Sequence, residues 1–200
     1  MALGTRFFRP RLVPPARHRE QYDAAIATAR AEQFRAVMLP HLDSAYSFAR
    51  YLARDATVAE DIVQDAFLRA FRSFDSWRGD SAKAWLLSIV RNCFLNSVVG
   101  RDRHSGTERV EDLSGAALDV ADADTPETIL AQRNEAAMLR NMIESLPEPF
   151  RETLVLRELE ELSYKEIAEV TRTPIGTVMS RLWRARRLLV QAATEQREAS

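Results

Sequence analysis

Five arginines and no acidic residue lie between Thr171 and Thr194, interleaved with Thr177, Ser180 and Gln191. The chemistry open to such a set is recognition rather than bond-making. Guanidinium groups neutralise phosphates and make paired hydrogen bonds to base edges, and small hydroxyl residues reach either. At about 100° per residue along a helix, Thr177, Ser180, Arg184, Arg187 and Gln191 share one side, with Arg181 on its flank. Ile175, Val178, Leu182 and Leu189 fall on the opposite side, toward a core, and Arg186 falls at that core-side angle. A merely solvated amphipathic helix is the plain alternative, and the residues upstream argue against it. Ser163 with Glu166 three residues on forms a capping box, which satisfies free N–H groups at a helix start. Ile167, Ala168 and Val170 give that short helix an apolar side, Thr171-Arg172-Thr173 interrupts it, and Pro174 suits the first turn of a second helix. Two helices joined by a short turn, the second rich in Arg, is the pattern of a DNA-reading helix-turn-helix.

Two further sets are candidates for binding. Asp61 and Asp65 are spaced i, i+4 and share a helix face with Gln64 beside them and Leu68 one turn on. An acidic and amide face around an apolar spot suits a basic protein partner; the alternative is a solvated face. Trp77 lies in a loop, Phe74 to Ser81, that turns around Gly79. An indole there is costly to expose unless it stacks on a ligand, and otherwise it packs over its own core. No catalytic constellation is visible. His18, His41 and His104 have no nucleophile or metal partner near them in sequence, and the single Cys93 excludes an internal disulfide or a cysteine-rich metal site.

The elements that must carry these residues follow from composition and periodicity. The chain has 200 residues, an apolar fraction of 46% and a net charge of −1, so DNA binding has to come from local segregation of charge. Few alternating β-branched runs and six Gly argue for an all-α chain, and no apolar run approaches the length of a membrane span. The expectation is a soluble, cytoplasmic protein. Residues 1–28 read as a disordered basic extension, with five Arg and three Pro before Glu20. Residues 29–104 read as a helical domain. Thr57 with Glu60 is expected to cap one helix, and Lys83–Val99 is a helix apolar on almost every side, which must be central to a core or covered by a partner. Residues 105–127 hold seven acids against one base and read as a flexible linker. Residues 128–195 form a second helical domain ending in the helix-turn-helix.

Four segments together resemble one family. Ala59–Phe71 (AEDIVQDAFLRAF), Phe74–Asn92 (FDSWRGDSAKAWLLSIVRN), Ser145–Val170 and Thr173–Leu189 are similar, in order and spacing, to the bacterial RNA polymerase sigma factors of the extracytoplasmic-function group. That resemblance implies core polymerase and promoter DNA as partners, an anti-sigma factor as regulator, and no cofactor or enzymatic activity. It would put Asp61, Gln64, Asp65 and Leu68 on the polymerase clamp, and Ser73, Trp77, Arg78 and Asn92 around a flipped minus-ten base. It would assign minus-thirty-five base contacts to Met179, Ser180, Trp183 and Arg184, and phosphate contacts to Tyr164, Thr177 and Arg186, with Arg181 and Arg187 on the same DNA-facing helix. Met179 departs from the family pattern, where a cation is common, so no hydrogen-bonded base contact is expected from it. The acidic tether would let the two domains pack together under an anti-sigma factor, hiding both DNA faces. The competing reading is a helix-turn-helix regulator that binds DNA alone, which would carry a phosphoacceptor or ligand domain in place of DIVQDAF and the RGDS loop. A recombinase fails for want of a catalytic domain.

Overall fold

The computed structural model describes residues 16–78, 80–104 and 126–198, and among them every regular element is a helix. The tether expected at 105–127 therefore lies outside the described residues up to 125. The N-terminal half comprises α1 (Ala16–Met38), a single tight turn at Leu39–His41, α2 (Leu42–Ala53), α3 (Ala56–Ser73), a second tight turn at Phe74–Ser76, and α4 (Ala82–His104). The C-terminal half comprises α5 (Pro126–Ser145), α6 (Glu148–Glu158), α7 (Tyr164–Thr171) and α8 (Ile175–Glu198).

Two expectations are corrected at helix starts. The extension expected to be disordered through residue 28 is helical from Ala16. Ala24, Ala25, Ala27, Ala29 and Ala31 favour helix because Ala loses no side-chain entropy in it, and the end of α1 is anchored. Phe34 sits edge-on to Phe67, Phe71 and Phe74, and Arg30 donates to the Phe71 carbonyl and pairs with Asp75. The second correction concerns α3, which is capped by Asp55 rather than Thr57. Arg54 takes a left-handed conformation (φ 60°) that ends α2, Asp55 is extended, and its carboxylate accepts from Val58 N at 2.8 Å. Thr57 is then already inside the first turn.

Burial follows the apolar patterns within each half. Phe48, Leu52, Ile62, Ala66, Leu86 and Val90 pack where α2, α3 and α4 meet, while Leu154, Leu156, Ile167, Val178 and Leu182 fill the space among α6, α7 and α8. Cys93 is part of the first core, and burial pushes its thiol up to about 11. The folded chain is accordingly expected to resist a thiol reagent at pH 8 and to react on denaturation. Rapid labelling without denaturant would show that α3 and α4 do not hold this packing.

Two helices are covered on more sides than one domain supplies. All six residues of α6 from Arg151 to Leu156 are buried, because α8 and α7 cover part of the helix and α2 covers another part. The nearly all-apolar α4 meets α2 and α3 on one side and α7 on another. The cover that its composition demands thus includes the chain's own C-terminal half. Polar groups bolt this junction. Arg50 pairs with Glu144 at 3.3 Å, Arg54 donates to the Leu146 carbonyl, and Lys83 pairs with Glu160 at 2.9 Å. Arg91 bonds the buried Glu152. Arg151 is itself buried and donates to the Glu144 and Leu146 carbonyls at the end of α5, with its other terminal nitrogen 3.5 Å from the Leu52 carbonyl. Its Nε has no hydrogen-bond partner, and burial pulls the guanidinium down to about 10.

Candidate nucleic-acid interface

The helix-turn-helix is built from local bonds that the sequence makes explicit. Ser163 Oγ accepts from Glu166 N, and Ser163 N donates to the Glu166 carboxylate at 2.8 Å, so the expected capping box opens α7. Hydrogen bonds from Ser163 hold the Glu166 carboxyl below its ordinary range. The sign is that of a depressed carboxylate: the cap contributes at neutral pH and is lost as pH falls through the folded-state value, below 4.5. Arg172 in a left-handed conformation (φ 54°) closes α7, and Thr173 N donates to the Ala168 carbonyl. Pro174 stands one residue before α8 rather than in its first turn, and its carbonyl accepts from Thr177 N and Val178 N.

The buried side of α8 is Val178, Leu182 and Ala185, which seat it on α6 and α7. Ile175, expected toward the core, is exposed, and the buried side of α8 begins at Val178. Met179, Ser180, Trp183, Arg184, Arg186 and Arg187 are all exposed, Trp183 at 61%. Thr177, Tyr164 and Arg181 are half-buried. Arg181 is thus at the flank of the face rather than at its exposed centre. A cleft of about 430 Å³ between Tyr164 and α8 runs past Met179, Trp183, Arg187 and Val190.

The arginines are not equivalent. Arg184 has no hydrogen-bond or ion-pair partner among the described residues, and it projects at the middle of the exposed side. Arg187 lies over the Trp183 ring at 5.5 Å, a cation–π contact that orients both. Arg186 is held by Glu158 through Nε and Nη2, at 3.1 and 2.6 Å. This explains its odd position on the helical wheel: it reaches back to α6 instead of outward. Nothing in the sequence signalled Glu158, because the pairing spans 28 residues. Replacing Glu158 with Ala is expected to release Arg186 and to steepen the salt dependence of DNA binding by about 0.9 in log–log slope, the value of one added phosphate contact. An unchanged slope would mean that Arg186 never meets the backbone.

The loop before α4 holds the second candidate site. Trp77 stacks on Phe74 with the rings 5.8 Å apart, and its Nε1 donates to the Asp80 carbonyl. The indole therefore packs over its own core on one side, the second of the two roles the sequence allowed. It also lines a cleft of about 300 Å³ with Ser76, Arg78, Ser81, Trp85 and Ser88, and Glu169 and Val170 of α7 close that cleft from the other half of the molecule. Ser73 and Asn92 stand outside its lining, and the Ser73 hydroxyl donates to the Arg69 carbonyl.

On the acidic face of α3, Asp61 and Gln64 are exposed and line a groove of about 640 Å³ with Leu39, Leu42, Asp43 and Tyr46. Leu68 is also exposed but lies off this groove, and Asp65 pairs with Arg69 at 2.8 Å. The α2 side of the groove was missed in sequence because Leu42 reads there as a core position; the legible signal was two leucines flanking Pro40 on a turn too short to bury both. Among the described residues no group of His, Cys, Asp and Glu is arranged to hold a metal, and no helix is long and apolar enough to cross a membrane.

Comparison with known proteins matches both halves. The Sigma-70 region 2 family pattern covers residues 38–104, and the Sigma-70 region 4 pattern covers residues 136–189. The chain is similar to the ECF RNA polymerase sigma-E factor of Escherichia coli, 41% identical over 133 residues that make up 63% of this chain and 69% of that one. It is 40% identical over 143 residues to the RNA polymerase sigma-H factor of Pseudomonas aeruginosa, spanning 69% and 74% of the two chains. Among solved structures it resembles the sigma factor RpoE of Bartonella quintana in complex with the anti-sigma factor NepR. That match has a TM-score of 0.68 at 27% identity and covers 82% of this chain and 98% of that one. CnrH, in complex with the cytosolic domain of CnrY, shares the fold, with a TM-score of 0.60 at 24% identity over 86% and 94% of the two chains.

Proposed function

This chain belongs to the extracytoplasmic-function sigma factors of bacterial RNA polymerase, and from that premise we propose that it binds core polymerase and directs it to promoters, under the control of an anti-sigma factor. The observation that carries this reading is the pairing, on one chain, of a region 2 match over the Trp77 loop with a region 4 match whose recognition helix has an exposed, acid-free face. A helix-turn-helix regulator that acts alone has no use for the first of these. The similar Bartonella protein, seen with an anti-sigma factor, supports a regulator of that kind here.

The working parts are residues 29–104 and 128–195, joined by 105–127, and the protein acts in the cytoplasm where the polymerase and DNA are. Asp61, Gln64, Asp65 and Leu68 bind the clamp, helped by Leu39 and Leu42 across the groove. Ser73, Trp77, Arg78 and Asn92 serve the minus-ten element. Tyr164, Thr177, Met179, Ser180, Arg181, Trp183, Arg184 and Arg187 serve the minus-thirty-five element, and Arg186 joins them at the backbone only when Glu158 lets it go. Phosphodiester chemistry belongs to the polymerase. For that reason DNA binding needs only charge, shape and hydrogen-bond donors from this chain.

The direct test is transcription of genomic DNA by core polymerase with and without the purified chain, with transcript ends sequenced. Start sites sharing upstream elements are expected only when the chain is present; an identical set of starts without it would overturn the reading. Within that assay, Asp61→Lys with Gln64→Lys sets like charge against a basic clamp surface, a mismatch that costs several kcal/mol in an interface. Co-purification with polymerase should fall at least about tenfold while helicity is kept. Undiminished co-purification would remove α3 from the interface.

A further inference from the structure

Lys83 and Arg91 are cations of α4 that pair across the junction but have no place in the DNA- and polymerase-binding sets above. They are eight residues apart, about 12 Å along the helix axis and within about 80° of each other around it, and in sequence they bracket the stretch of α4, Ala84 to Ser88, that lines the cleft behind the Trp77 loop. Each is taken up by a carboxylate from the other half of the molecule. Lys83 Nζ lies 2.9 Å from the Glu160 carboxylate and donates to the Glu160 carbonyl at 2.8 Å. Arg91 bonds Glu152 through Nε. Both acids are 4% exposed at the side chain, whereas the cations keep 25% and 15%. The same α7 that follows Glu160 lays Glu169 and Val170 across the cleft.

Resting on the sigma-factor reading, we propose that Glu152 and Glu160 stand in for promoter phosphates. They occupy the two α4 cations while the halves are packed, and single-stranded DNA of the minus-ten region displaces them, so that Lys83 and Arg91 become its backbone ligands. Three features favour exchange over a purely structural role. The anion each cation meets is an oxygen acid at ion-pair distance, and a phosphodiester oxygen satisfies the same donors. Buried ion pairs lie near energetic balance, because desolvation offsets their attraction; replacing one anion by another therefore changes little for the cations, and the released glutamates regain water. The cleft and the ion pairs are also covered by one body, so a strand that enters the cleft must lift α6 and α7 away together. The closed chain and the bound strand are thus mutually exclusive.

The test uses the full chain and a fluorescent single-stranded DNA of mixed sequence, with affinity read by anisotropy and size by X-ray scattering. The Glu152→Gln, Glu160→Gln variant keeps the shapes of the side chains but removes the competing charge, and its affinity for the strand should rise about tenfold. The charge-swapped Lys83→Glu, Glu160→Lys variant should stay compact yet bind the strand more weakly than wild type. Strand affinity unchanged in the first variant, or equal to wild type in the second, would overturn the proposal. Should either variant fail to fold, wild type decides: saturating DNA must increase its radius of gyration, and an unchanged radius would equally sink the idea. Promoter-selective transcription with core polymerase, measured in parallel on wild type, keeps this outcome separate from the fate of the sigma-factor reading.

Discussion

Arg184→Ala is expected to relax base preference at one position of the minus-thirty-five element while leaving the salt dependence of binding nearly unchanged. The reason is in its surroundings. Arg184 projects from the exposed side of α8 with no intramolecular partner among the described residues, so both edges of its guanidinium are available to a guanine. Such a paired contact contributes about 1–3 kcal/mol of discrimination, roughly 5- to 150-fold in preference. Arg187→Ala should behave differently. That guanidinium is held over Trp183 near the outer end of the reading face, where phosphate neutralisation strengthens binding to every sequence alike. Its loss should weaken all promoters together and flatten the salt slope by about 0.9. Transcription from a library randomised over the minus-thirty-five element, with binding repeated at several salt concentrations, separates the two. A uniform loss of output from Arg184→Ala, with base preference intact, would show that it is not a reader.

Leu182→Ala should cost about 2–5 kcal/mol of stability, the range for removing a buried leucine without full collapse of the space. Leu182 is 2% exposed and lies with Val178 and Ala185 on the buried side of α8. A whole domain is commonly stable by about 5–15 kcal/mol, so this one substitution takes away a large share. The functional signature should be selective. Minus-thirty-five recognition as proposed needs α8 held in register, whereas the groove between α2 and α3 proposed to meet the clamp has no α8 residue in its lining. Polymerase binding should therefore outlast promoter selection as the variant is warmed. Simultaneous loss of both at one temperature would mean that the two halves unfold as a single unit, which the shared burial of α6 also makes testable by comparing near-ultraviolet and far-ultraviolet melting curves.

The acidic tether between the halves lies largely outside the described residues, and among those described the junction joins α2 and α4 to the end of α5, α6 and α7. Charge explains why that closure was hard to foresee. Glu144, Glu152 and Glu160 are unremarkable acids in sequence, and Arg50, Lys83 and Arg91 are ordinary surface cations of helices in the other half. Their pairings span 94, 61 and 77 residues, and no local pattern encodes a partner at such a distance.

Spacing along the chain makes legible whatever local physics decides. The capping box at Ser163 and Glu166, the turn at Thr171–Thr173, the apolar side of α8 and the all-helical class rest on interactions within one or two turns, so they are legible from spacing. The exposed faces proposed for binding were legible for the same reason where they lie along one helix, as with Arg184 and Arg187 or Asp61 and Gln64. Local rules failed where competing local options were close in energy, as when Asp55 capped α3 two residues ahead of the Thr57–Glu60 pair. Tertiary structure alone decided the rest. It turned Arg186 back onto Glu158, set Trp77 over Phe74, drew Leu39 and Leu42 to the rim of the α3 groove, and spent the apolar surplus of α4 and α6 on the junction between the halves. Each of these depends on which surfaces meet. That is settled by burial summed over the whole chain and by charges brought together across it, neither of which is written in any single stretch.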